Sequence, residues 1–177
     1  MGKKTFYLKT FGCQLNQADS ERIKAKLESQ GLIQTQDSKT ADLVVINSCI
    51  VRHSAENRVY GLIRNLKAKY QKPKIILTGC LAGWALRAKN KKNLNNLKKK
   101  IGPNVEIKLI EEFVPFKISQ KRTCPDTALV PISNGCNHYC SYCIVPYARG
   151  KEVYLKSEKI INDVKKAVKI GISKIML

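Results

Sequence analysis

The chain has 177 residues, with 33 lysines and arginines against 13 acids, a formal charge of +20, and a hydrophobic share of 44%. That share is enough for packed cores and argues against wholesale disorder, while the charge favours a phosphate-bearing polymer as partner, compositional bias with solvated faces being the alternative. There is no run of about 18 apolar residues and the start lacks a signal-peptide core, so neither a helical membrane span nor a secretory leader is expected, and the chain reads as cytoplasmic without a membrane partner.

A pattern of strand, cysteine and helix repeats through the first 80 residues. Residues 5–10 are a β-type run leading into Phe11-Gly12-Cys13. The helical pattern behind it places Asn16 and Asp19 as an N-terminal cap, with Ile23 and Leu27 four apart on the apolar face. Residues 43–46 are continuously apolar and lead into Asn47-Ser48-Cys49. A cleaner helix follows, with Val59, Leu62, Ile63, Leu66 and Tyr70 on one face. Residues 74–78 carry Ile75, Ile76 and Leu77 and end at Gly79-Cys80. A third helix is expected from about 82 to 100, with Leu94, Leu97 and Ile101 on one side.

Strands alternating with helices imply an α/β fold with a parallel sheet covered on both faces. The carboxyl ends of such strands lie along one edge, where ligands usually bind. Cys13, Cys49 and Cys80, 36 and 31 positions apart, are therefore expected at one rim.

Residues 81–122 are the most basic segment, with 11 lysines and arginines against 3 acids, a net of 11 − 3 = +8. Within it, Lys98-Lys99-Lys100 reads equally as a solvated helix end and as a phosphate-facing patch. Residues 117–125 resemble a linker. Beyond it come a strand at 128–132, a long loop at 133–150 and a helix at 157–170. Ile160, Ile161, Val164, Ala167 and Val168 give that helix its apolar face, Gly171 stops it, and a further strand begins at 172. Two domains are expected, 1–122 and 123–177. The second has the look of the opening of a longer domain, because its few elements bury little core and leave an apolar strand exposed.

Seven cysteines in a reducing compartment are better metal ligands or reactive thiols than a disulfide framework, and the odd count fits incomplete pairing. Cys136, Cys140 and Cys143 form a C-x3-C-x2-C run. Thiolates suit iron–sulfur clusters and zinc. Three thiolates on a cubane leave one iron open to an incoming molecule, whereas His138 or Cys124 could close a zinc site at four ligands. Cys13, Cys49 and Cys80 offer a second trio, although a lone strand-end cysteine is often a small buried hydrophobe. His53, four residues after Cys49, reads as a loop residue. There is no phosphate loop of the G-x-x-x-x-G-K-[ST] type and no G-x-G-x-x-G.

These motifs resemble the methylthiotransferases of the radical S-adenosylmethionine (SAM) superfamily along essentially the whole chain. Gly12-Cys13-Gln14-Leu15-Asn16 with Asp19-Ser20-Glu21 is similar to that family's opening signature, and Asn47-Ser48-Cys49-Ile50-Val51-Arg52 and Gly79-Cys80 to its second and third cysteine motifs. Gly135-Cys136-Asn137, Cys140 and Cys143, followed by Ile144-Val145-Pro146-Tyr147-Ala148-Arg149-Gly150, resemble its radical SAM signature. The resemblance implies a Rossmann-like parallel-sheet domain over 1–122 and the truncated start of a radical SAM partial (βα) barrel over 123–177. It also implies two 4Fe-4S clusters and SAM as cofactors. Cys136, Cys140 and Cys143 would hold the cluster that chelates and reductively cleaves SAM, with Tyr142 against the cofactor's adenine. Cys13, Cys49 and Cys80 would hold the auxiliary cluster that carries the sulfur.

The wording Ile-Val-Pro-Tyr is most similar to the branch that converts N6-(dimethylallyl)adenosine, next to the anticodon of tRNA, into its 2-methylthio derivative. Sister branches act on threonylcarbamoyladenosine in tRNA or on an aspartate of a ribosomal protein. The implied partners are the tRNA anticodon stem-loop, a low-potential electron donor and a sulfur donor, and the implied state is a monomer. Taken without the resemblance, the cysteines also allow an iron–sulfur electron carrier or a zinc-stabilised RNA-binding module. One element departs from the family. A Glu-x-Ser-Arg stretch commonly follows its Arg-Gly, and here Glu152-Val153 is followed by Tyr154-Leu155. The 177 residues alone are expected not to turn over.

Overall fold

The computed structural model describes the chain apart from residues 1–2, 70–72, 89–90, 119 and 123 and the side chain of Lys69. Tyr70, counted on a helix face, lies outside the described residues. Strand β1 (Thr5–Phe11) leads into helix α1 (Gln14–Ser29), and the short β2 (Ile33–Gln34) follows. Strand β3 (Leu43–Ser48), α2 (His53–Lys69), β4 (Lys74–Gly79), α3 (Cys80–Arg87), α4 (Lys92–Ile101), β5 (Val105–Ile107) and α5 (Ile110–Phe113) complete the first sheet and its layers.

The five strands are all parallel, in the order β2-β1-β3-β4-β5. Both faces are covered, because successive strand residues point to opposite sides and here both sides are apolar. Val44, Ile46, Ile75 and Leu77 pack with Val59, Ile63, Leu66, Leu81, Leu97 and Ile101 on the face of α2, α3 and α4. Phe6, Val45 and Ile76 pack with Ile23, Leu27, Ile110 and Phe113 on the face of α1 and α5. This is the doubly wound arrangement expected from the alternation of strands and helices. Its order reverses between β1 and β3, which is where such sheets open a crevice beyond their carboxyl ends.

The second part contains β6 (Thr127–Leu129), β7 (Ser133–Asn134), α6 (Val145–Arg149), β8 (Val153–Tyr154), α7 (Ser157–Lys169) and β9 (Lys174–Met176). Strands β6 and β9 pair in parallel across α7, a βαβ unit sealed by Ala128, Val130, Ala167 and Ile172. Gly171 ends α7 at φ 85°, in the left-handed region that favours glycine.

The structure departs from several expectations. The third helix is broken: α3 ends at Arg87, Ala88 is extended at φ −59°, ψ 129°, and α4 begins at Lys92. Residues 89–93, Lys-Asn-Lys-Lys-Asn, offer no apolar side chain to hold a continuous helix on the core. The expected loop at 133–150 contains β7 and α6, the latter started by Pro146 at its first turn. Asn16 and Asp19 do not cap α1. Cys13 occupies the N-cap without a side-chain bond, and both polar residues lie fully buried inside the helix. Their tertiary partners, described below, are the reason.

Described residues of the stretch expected as a linker bond to α1. Gln120 donates to the Ala18 carbonyl at 3.3 Å, and Lys121 pairs with Glu28 at 2.6 Å.

Candidate metal centre

Strand register sets the positions of the first three cysteines. Phe11, Ser48 and Gly79 stand level on the neighbouring strands β1, β3 and β4. Cys49 and Cys80 are the next residues on their strands and Cys13 lies two beyond Phe11, so all three emerge at the carboxyl edge. Asn16 is the hub between them. Its Oδ1 accepts from the Cys13 thiol at 3.4 Å and lies 4.0 Å from the Cys80 thiol. Its amide donates to Asn47 Oδ1 and to the Ser48 carbonyl, both at 3.1 Å. Asn47 answers by donating to the Asn16 carbonyl at 2.7 Å and to Ser20 Oγ at 3.0 Å. These bonds satisfy buried polar groups at the strand ends and fix the approach of α1 to the rim. The Val51 amide donates to Cys49 Sγ at 3.4 Å. Cys13 is exposed, whereas Cys49 and Cys80 are buried.

The second part reaches into this rim through Arg149. That residue is only 4% exposed. Its Nε donates to Cys80 Sγ at 3.1 Å, and its Nη1 donates to Asp19 Oδ2 at 2.7 Å and to Asn134 Oδ1 at 3.0 Å. Asp19 also pairs with Arg22, so one buried carboxylate serves two guanidinium groups. Burial alone would depress Arg149, but the charges of Asp19 and Cys80 outweigh it and hold its pKa above the ordinary arginine value. Burial pushes the Cys80 thiol up, opposed by Arg149 and reinforced by nearby Cys49 and Asp19. The remaining nitrogen, Arg149 Nη2, is buried without a hydrogen-bond partner among the described residues.

Cys136, Cys140 and Cys143 lie in a loop whose base is pinned by the antiparallel pairing of β7 with β8. The Cys136 amide donates to the Gly150 carbonyl at 3.1 Å, and the Cys143 amide to the Cys140 carbonyl at 3.0 Å. Tyr139 sits between them at φ 47°. Cys140 is exposed, Cys136 and Cys143 are half-buried, and the Tyr142 ring is 90% exposed. Among the described residues, no three His, Cys, Asp or Glu side chains stand as ligands for a single metal ion. A cubane cluster spreads its thiolates more widely than one ion does, and the donor type suits it. Cys124 is exposed in the stretch beside α1, and His53, expected in a loop, instead opens α2 with its ring 3.2 Å from the Asn57 amide.

Cys13 also borders a cleft of about 370 Å³ shared with Val130, Pro131, Met176 and Leu177, at the carboxyl ends of β6 and β9. The carboxyl edges of both parallel sheets thus face a common space.

Sequence reasoning missed Asn16, Asp19, Asn47 and Arg149 as parts of this site. One signal for Asp19 was available: it precedes Ile23 and Leu27 by four and eight residues, so an acid stood on the apolar stripe of α1. Arg149 carries no such mark, because its partners Asp19 and Cys80 in the first part are 130 and 69 positions away and Asn134 is 15 away.

Residues 5–101 match the model of the Uncharacterized protein family UPF0004, and residues 130–177 that of the Radical SAM superfamily. Curated relatives include a tRNA-2-methylthio-N(6)-dimethylallyladenosine synthase of Clostridium botulinum (strain Okra / Type B1), 34% identical over 97% of this chain and 43% of its own length. Proteins of the same name from Thermodesulfovibrio yellowstonii and Clostridium perfringens (strain SM101 / Type A) are also 34% identical, over 100% of this chain and 45% of theirs. The chain therefore spans less than half the length of these relatives. The radical SAM methylthiotransferase resemblance carried by the cysteine motifs agrees with both matches, and the chain belongs to the Uncharacterized protein family UPF0004, with a Radical SAM superfamily segment following it.

Proposed function

We propose that this chain is the cluster-binding and SAM-binding part of a radical SAM methylthiotransferase that converts N6-(dimethylallyl)adenosine, next to the anticodon of tRNA, into its 2-methylthio derivative. Residues 1–122 form the domain of the auxiliary cluster and 123–177 the beginning of the radical SAM core. Cys13, Cys49 and Cys80 hold one 4Fe-4S cluster, and Cys136, Cys140 and Cys143 hold the other, with Tyr142 free to lie against the adenine of SAM. When bound, the two clusters and SAM supply the electron, the radical chemistry and the sulfur that no side chain provides.

The observation that carries this reading is Arg149. It belongs to the helix that follows the C-x3-C-x2-C run, yet its Nε bonds Cys80 at the rim of the other trio, 3.1 Å away. Its unpartnered, buried Nη2 calls for an acceptor there, and an anionic sulfur cluster is one. Asn16 orients Cys13 and Cys80, while Asp19 keeps the guanidinium charged and aimed. Half-buried thiols keep water from part of the site, and the exposed Cys13 and Cys140 leave it open to reagents. The full-length enzyme acts as a cytoplasmic monomer with a low-potential electron donor and a sulfur donor.

Anaerobic reconstitution with iron and sulfide tests the reading. About eight irons and eight sulfides per chain are expected for two cubanes, falling by about half in Cys80→Ala and in Cys136→Ala. Adding SAM is expected to alter the electron paramagnetic resonance spectrum of Cys80→Ala but not of Cys136→Ala. One zinc with no sulfide, or equal loss of the SAM response in both variants, would overturn it.

A further inference from the structure

Two clefts flank α3 and share Trp84. The larger, about 540 Å³, lies between α3 and the C-x3-C-x2-C segment and is lined by Trp84, Arg87, Tyr139, Tyr147 and Lys151, among others. Tyr139 and Tyr147 meet edge to face at 5.7 Å and are each 52% exposed, so their rings stand ready for a further aromatic partner. No acid lines this cleft among the described residues. The smaller, about 350 Å³, continues past Trp84 to Tyr60, Asn96 and Lys99. Its one acid, Glu56, is already engaged by Tyr60 and, at 3.6 Å, by Lys100. Lys100 also lies 4.9 Å over the Tyr60 ring.

We propose that these clefts form one binding track for single-stranded RNA, with a base stacked on Trp84 in the larger cleft and phosphates following the exposed lysines Lys151 and Lys99. Aromatic rings alternating with cations along a groove are the chemistry that holds unpaired nucleotides, since every base has a face to stack and every phosphate a charge. Duplex RNA offers no unstacked base to these rings, and an acidic peptide, which would also meet the lysines, is the outcome that the polyglutamate arm below detects. Trp84 lies one helical turn beyond Cys80, about 6 Å along α3, so the track leads away from the thiol rim. Nucleotides flanking a target base would be held there. The identity of the strand as RNA rests on the function proposed above.

The chain has a single tryptophan, so its fluorescence reports on this cleft directly. Titration of the 177-residue protein with an unstructured RNA heptamer is expected to quench Trp84 emission. Polyphosphate, which has charge but no bases, is expected to leave it unchanged. Lys151→Ala and Lys99→Ala should each lower the salt slope of RNA binding by about 0.7. Tyr139→Leu, in a half-exposed loop position, should weaken binding about tenfold. RNA that binds with Trp84 emission unchanged, polyphosphate or polyglutamate that quenches as RNA does, or lysine variants with the wild-type slope would each overturn the track. If RNA quenches but the reconstituted chain shows no SAM response, the track stands and the enzymatic reading falls. A SAM response without quenching removes the track alone.

Discussion

Replacing Arg149 with methionine removes a buried charge while keeping much of the side chain's bulk. The guanidinium loses its bonds to Asp19, Asn134 and Cys80, at 2.7, 3.0 and 3.1 Å. Asp19 is fully buried and is left with Arg22 as its remaining guanidinium partner. Breaking a buried pair by removing one partner costs about 3–5 kcal/mol, and the persistence of Arg22 puts this case near the lower end, about 3 kcal/mol. With a urea slope of about 2 kcal/mol per molar, the unfolding midpoint falls by roughly 1.5 M. Arg149→Lys recovers only part of the loss, because a compact ammonium cannot hold a thiol, a carboxylate and an amide at once. Asp19→Asn leaves two buried guanidinium groups without their carboxylate. The double variant Asp19→Asn/Arg149→Met should cost less than the sum of the singles by about 1–3 kcal/mol. Urea unfolding followed by circular dichroism measures all four. A midpoint shift below about 0.5 M at unchanged slope, or strictly additive singles, would refute the buried network.

Two helix glycines separate close approach from open space. An added methyl at Gly83 would run into the Ala148 carbonyl where α3 meets α6, so Gly83→Ala should destabilise by about 1–3 kcal/mol. Gly61, inside α2, has nothing within 4 Å of that position, and Gly61→Ala should stabilise by about 0.5–1 kcal/mol; thermal unfolding that gave both the same sign would contradict the packing. Asp42 provides a pH test. The Thr5 amide and hydroxyl donate to its carboxylate at 2.7 and 3.0 Å, and these bonds hold its pKa below the usual value. Because the folded value is the lower one, the stabilisation is complete above the unfolded value of about 3.9 and disappears as pH falls through the folded value. The melting-temperature advantage over Asp42→Asn should therefore shrink on going from about pH 6 to about pH 2.5; an equal gap at both would exclude it.

The layered architecture of the first part was legible because each strand is a short apolar run and each helix carries its apolar residues three and four apart. β3 and α2 are the clearest instances. The gathering of Cys13, Cys49 and Cys80 at one edge follows from parallel connectivity, which periodicity reveals. The two-residue strands β2, β7 and β8 were illegible, since so short a segment carries no period of its own. The break between α3 and α4 was hidden by Lys and Asn residues that tolerate either state. The polar half of the site was hidden for a different reason: Asn47 and Arg149 acquire their meaning from partners that only the folded chain brings near. Asp19 shows how a helix-starting residue type can be misread when its buried position on the stripe is given too little weight.

The two cysteine trios differ in how early they can exist during synthesis. Cys136, Cys140 and Cys143 fall within eight consecutive residues, so their loop can close soon after it leaves the ribosome. Cys13, Cys49 and Cys80 meet only after three strands have aligned across two helical crossovers, a slow, non-local event. On the proposed function, insertion of a cluster at the strand ends would therefore wait for the sheet, and a mutation that slows strand alignment would starve that location while sparing the loop.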